Sequence, residues 1–222
     1  MNDARAKAEE NLQIIRSLME RATVYRAISA PTALVAGLLS TFAAGTIFVN
    51  NETNFNFGFQ IASREFAFVW ILVLIVALAM NAFFIRREAL RTGRPFVSPA
   101  MKLALRAIAS CLLIPIAVTI WFFQTGYLGN QELFLVIVWT AFYGLALLST
   151  NLFAPRSLVL LGWAFLLTSM AIPVIDRSIE GNLSGDIPNL VMGATFGLYH
   201  LIYAACTWSR RVSPVGEPMT VE

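Results

Sequence analysis

His200 is the one histidine in a chain of 222 residues, and it stands inside the apolar run GATFGLYHLIYAACTW, residues 193–208. An imidazole at such a place could ligate a metal or haem, handle a proton, or pack with its ring nitrogens hydrogen-bonded. One histidine cannot supply both axial ligands of a bis-histidine haem. No Cys, Asp or Glu lies at matching depth in the neighbouring apolar runs to complete a metal site. The two cysteines, Cys111 and Cys206, form no C-x-x-C pair, and both read as small buried hydrophobes near the cytoplasmic ends of their helices, where a disulfide is not expected. The expectation is therefore no metal, no cofactor and no assigned catalytic residue. His200 is read as a hydrogen-bonded residue at a helix interface.

Its partners are sought by depth. Gly193 and Gly197 are spaced four apart, and an uninterrupted helix places His200 on their face, which predicts a close backbone approach at this seam. Ala33, Gly37, Thr41 and Gly45 recur every fourth residue in the first apolar run, with Ser40 beside them. The first and last runs are thus expected to pack tightly through Gly37, Gly45, Gly193 and Gly197. His200 is then expected to bond to Ser40 or Thr41, with Tyr143 as the other depth-matched partner. Together with Asn151 these residues make a candidate polar cluster within the membrane. A Ser149–His200 couple on the fourth and sixth runs departs from the pattern of rhomboid proteases, because Ser149 lies in GLALLSTN rather than G-x-S-G and near the inner end.

The elements that must position these residues are written in the composition. The chain is 58% hydrophobic and 13% charged, against about 25% charged in soluble domains. Six apolar runs, 31–49, 66–85, 103–125, 133–153, 157–175 and 188–208, approach or exceed the roughly 20 residues a helix needs to cross a bilayer. Backbone groups left unpaired in lipid are not tolerated, so each run should be helical. The fold class expected is all-α, a polytopic bundle of six transmembrane helices over residues 29–208.

Residues 1–28 have helical periodicity, with Leu12, Ile15, Leu18, Met19 and Ala22 on one side and Glu9, Gln13, Arg16 and Glu20 on the other. They are read as an amphipathic cytoplasmic or interfacial helix that lies on the membrane, packs under the bundle or meets a protein partner. Residues 209–222 are read as a disordered cytoplasmic tail.

Of the 16 Lys and Arg residues, 14 fall before the first run, between the second and third or at the start of the third (Arg106), between the fourth and fifth, or after the sixth. Only Arg64 and Arg177 fall on the other side, so both termini are placed in the cytoplasm. The net charge of +3 is accordingly a topology signal. It points to the lipid bilayer and its anionic headgroups as partner, not to nucleic acid. No Asp, Glu, Lys or Arg stands deep in a run, which argues against a proton-coupled pump.

Glu10-Asn11-Leu12, Ile15-Arg16 and Met19-Glu20-Arg21-Ala22, with Gly193, Phe196-Gly197 and His200, resemble the two ends of a group of small multi-pass bacterial membrane proteins. The resemblance implies a bacterial inner membrane and a six-helix bundle, and it supplies no reaction. Three classes of function follow from the sequence. The leading one is a non-enzymatic accessory or regulatory protein acting through helix contacts and residues 1–28, with a protein partner or a second copy of itself. The second is a transporter or channel for a small neutral or lipidic solute, lined by His200, Tyr143, Ser40 and Asn151. The third is a redox-complex subunit or intramembrane enzyme.

Overall fold

A computed structural model describes residues 30–53, 63–93, 99–125, 131–151, 154–178 and 187–209, and every regular element among them is a helix. The helices are α1 (Ala30–Thr53), α2 (Ser63–Thr92), α3 (Pro99–Thr125), α4 (Gln131–Leu148), α5 (Arg156–Ser178), α6 (Ile187–Met192) and α7 (His200–Ser209). Between α6 and α7 the chain runs on as a π-helical segment, Gly193–Tyr199, so these three pieces form one continuous rod. Five rods are long and apolar enough to cross a membrane, and α4 is a shorter apolar helix. The expected amphipathic helix over residues 1–28 and the tail from residue 210 lie outside the described residues.

Helix α2 continues past its apolar run to Thr92 because the polar stretch RREALRT keeps good helix formers, and it stops at Gly93, whose φ of 63° suits a glycine. Pro115 and Pro173 lie inside α3 and α5. Each removes a backbone donor from its helix. Near Pro115, Thr119 donates to the proline carbonyl at 2.6 Å and accepts from the Trp139 indole at 2.9 Å, which ties α3 to α4.

One close seam joins α4 to α5. A methyl at Gly144 would stand 2.8 Å from the Gly162 carbonyl oxygen and 2.9 Å from the Leu166 nitrogen. A methyl at Gly162 would stand 3.1 Å from the Gly144 carbonyl. Two glycines about equally far from one short turn thus let the backbones meet.

Around this hairpin, Leu147, Leu158, Leu161 and Phe165 pack with Ala33 of α1 and with Tyr203 and Ala204 of α7. A second cluster joins Ala44 of α1, Phe66 and Trp70 of α2, Val136 of α4 and Met192 of α6. Helices α2 and α3 sit at the edges. Only 6% of the apolar window of α2 and 11% of that of α3 is buried, against a third or more for α1, α5 and the last rod.

Along α1, the four-residue stripe does not act as one surface. The Gly37 position lies against the Leu201 side chain and 3.0 Å from the Gly197 carbonyl, so it packs as expected. Gly193 and Gly197 face α1 at Ala44 and Thr41. Gly45, expected at the seam, has nothing within 4 Å of a Cβ placed on it. It lines an open groove of about 260 Å³ with Thr41, Ala44, Phe48, Leu190, Gly193 and Ala194. Consequently Gly45→Ala should not destabilise the purified protein, and in an open helical position it gains up to about 1 kcal/mol. Gly197→Ala should cost about 1–3 kcal/mol, because its methyl would meet Thr41 Oγ1 at 2.5 Å. Equal melting of the two variants would contradict this arrangement of α1.

Candidate functional site: the His200–Tyr143 pair

His200, 7% exposed, opens α7 where the π segment ends. Its Nε2 lies 2.8 Å from the Tyr143 hydroxyl of α4. The phenol needs an acceptor in this apolar setting, and the imidazole supplies one if Nε2 is unprotonated. Tyr143 is therefore assigned as the donor, and the proton of the neutral ring sits on Nδ1. That Nδ1 is buried against the backbone of Thr195 and Phe196, without a well-formed hydrogen bond.

Aromatic rings close around the pair. Phe165, fully buried, lies edge-on to Tyr143 at 4.7 Å between centroids, and 5.0 Å, 5.5 Å and 5.7 Å from Phe196, Tyr199 and His200. Phe196 stacks on the imidazole, with 13° between planes and 6.3 Å between centroids. The Tyr199 hydroxyl is held by Thr168 of α5 at 2.8 Å. Four helical elements thus fix one histidine in a single orientation.

The expected bond from His200 to Ser40 or Thr41 is corrected by this geometry: the partner is Tyr143, and the imidazole faces α4. The cause is the π segment. Eleven residues of α-helix make about three turns, so Asn189 and His200 would share a face in an uninterrupted helix. Asn189 does face α1, where its Nδ2 donates to the Ala44 carbonyl at 2.9 Å. The extra residue taken up in a π turn offsets the face by about 100°. Leu201, not His200, therefore lies on Gly37.

Ser40 is buried on α1, whereas Thr41 is exposed and lies against Gly197. Asn151 is not part of the cluster. It is an exposed turn residue after α4, eight positions beyond Tyr143, which is about 12 Å along a helix axis.

Sequence reasoning missed three features of the core. Phe165 is the hub of the aromatic cluster, although its spacing in α5 is that of any apolar residue. Asn189 joins the last rod to α1, and its Oδ1 is buried without a partner among the described residues, as is the Trp70 indole nitrogen. Gly144 and Gly162 were visible as letters, yet only their equal distance from the short turn marks them as a pair.

Among the described residues no group of three or more His, Cys, Asp or Glu side chains converges as a metal site, and no disulfide joins Cys111 to Cys206. Chemically, the pair can hold a proton in a short Tyr–His bond and fix the relation of α4 to the last rod. Compared with protein-family models, with curated proteins and with solved structures, the chain has no match. Fold and site define a bundle of apolar helices with a packed aromatic–histidine core, which fits a helical, multi-pass membrane protein.

Proposed function

We propose that the chain is an accessory or regulatory subunit of a membrane assembly, working through helix contacts rather than through a reaction. One observation carries this reading. Helix α2 offers Phe68, Leu72, Ile75, Leu78 and Phe83 outward, each more than half exposed, and almost none of its apolar window is buried. Helices associate in membranes through close side-chain packing. A rod that obtains little packing from its own chain gains it from another. The core favours the same role, since the His200–Tyr143 pair is enclosed by rings that hold α4, α5 and the last rod as one rigid support.

In this reading α4 is the sixth crossing. Its 18 residues span about 27 Å, close to the roughly 30 Å hydrocarbon thickness. Six crossings place both termini on the basic, cytoplasmic side. There residues 1–28 are available to a partner. The membrane is the bacterial inner membrane implied by the resemblance at the chain's two ends.

Extracted from its own membrane in native-lipid discs, the 24.5 kDa chain should travel in a complex of larger mass with a constant second component. Leu72→Ala combined with Ile75→Ala should release it while the chain keeps its melting temperature. A chain that runs alone, with or without the two substitutions, would overturn the proposal.

A further inference from the structure

We propose that the partner of α2 is itself a helix, that it follows α2 out of the bilayer at the basic end of the rod, and that it carries a carboxylate opposite Arg86. The inference rests on the reading of α2 as a docking rod and names the kind of partner that fits it. Three observations carry it.

The first is a stripe. Leu72, Ile75, Ala79, Phe83, Arg86 and Leu90 are all exposed. At 100° per residue they stay within about 45° of one direction. Their steps of three and four positions are those of a helix seam. From Leu72 to Leu90 the stripe is about 27 Å long, enough for a second helix to lie along it.

The second is where the stripe ends. The apolar run of α2 stops at Ile85, but the helix goes on to Thr92. Counted from Glu65, where the apolar span opens, Leu90 stands about 38 Å along the axis. The hydrocarbon core is about 30 Å thick, so lipid tails can cover Phe83 but not Leu90. Leu90 is nonetheless 75% exposed, the most of any large apolar side chain among the described residues. Glu88 and Arg91, in the same extension, lie off the stripe. Apolar character thus stays in register on one face after the membrane has ceased to demand it.

The third is charge. Arg86 stands between Phe83 and Leu90 on this face. Ala82, Phe83, Ala89 and Leu90 hold the places three and four away, so no acid of α2 neighbours it on the helix surface. A lipid headgroup would serve Arg86 but leave Leu90, one turn further out, uncovered. A helix that covers both Phe83 and Leu90 covers Arg86 too, and a guanidinium enclosed in that way needs a carboxylate.

A photoreactive residue placed at Ile75, inside the membrane, and separately at Leu90, beyond it, tests this in the full chain in native membranes. Both positions should capture the same second protein. Peptide mapping should place the two attachment points about 15 residues apart in one segment of it, as two helices of equal rise require. Arg86→Glu should lower the yield from Leu90 about tenfold, because like charges then face each other. Arg91→Glu should leave that yield unchanged, and both variants should keep the parent's melting temperature. Changing the partner's acid nearest the mapped segment to lysine should restore the yield with Arg86→Glu.

An adduct at Ile75 with none, or with lipid alone, at Leu90 would overturn the inference while the docking role of α2 stands. So would attachment of Leu90 to residues 1–28 of the same chain, or an unchanged yield in a folded Arg86→Glu variant. An adduct at neither position would remove the inference and the docking role together.

Discussion

Replacing Gly144 by leucine should prevent recovery of folded protein, and Gly144→Ala should already lower the melting temperature more than Gly162→Ala or Gly45→Ala. The reason is that the obstacle is backbone. A methyl at residue 144 meets the Gly162 carbonyl at 2.8 Å and the Leu166 nitrogen at 2.9 Å, and neither can move unless α5 moves with it. Overpacking a well-filled core costs about 1–3 kcal/mol, sometimes more. Here relief requires the two helices to separate, which would also loosen Leu147, Leu158 and Phe165. Thermal melting in detergent of Gly144→Ala, Gly162→Ala and Gly45→Ala decides the matter. The order of cost should be 144, then 162, then 45. Tolerance of leucine at residue 144 would mean that α4 and α5 do not meet as described.

A comparable effect should come from His200→Phe. It leaves the Tyr143 hydroxyl buried with no acceptor, a penalty of about 1–3 kcal/mol. Tyr143→Phe strands Nε2 of His200 in the same way. The double variant removes both groups and should be more stable than the worse single variant, so the cycle gives a coupling of about 0.6–1.7 kcal/mol, the range for interhelical bonds in membranes. His200→Gln should be mild, because glutamine keeps both a donor and an acceptor. The readout is melting temperature in one detergent for all four proteins. Additive single costs would mean that the 2.8 Å contact contributes nothing. Complete loss of cellular function in a stable His200→Gln protein would move the residue from support to reaction.

The rods themselves were legible because length and apolarity act through a single constraint, the need to pair every backbone group in lipid. Where polar residues extend a helix beyond the bilayer, as at the end of α2, that constraint is silent and the apolar run stops at residue 85, seven positions before the helix does at Thr92. The depth of His200 was legible as well, since rise per residue places it beside both Ser40 and Tyr143. Its direction was not. The choice between those neighbours depends on the extra residue in GATFGLY, and that stretch reads on a helical wheel as an unbroken α-helical face. The Gly37–Gly45 stripe shows the same limit. Spacing brings both glycines to one side of α1, but Leu201 and Gly197 meet Gly37 and Thr41, Gly193 and Asn189 meet Ala44 beside the stripe, and Gly45 is left open.

What lies against α2 in the membrane separates a partnered subunit from a chain that stands alone in lipid. A photoreactive amino acid placed singly at Leu72, Ile75 and Phe83, and as a control at Trp70, whose side chain is buried, can be activated in native membranes. One protein adduct of constant added mass is expected from the three outward positions and none from Trp70, and the adduct should be lost in the variant that carries both Leu72→Ala and Ile75→Ala. Lipid adducts alone from all three outward positions would contradict it.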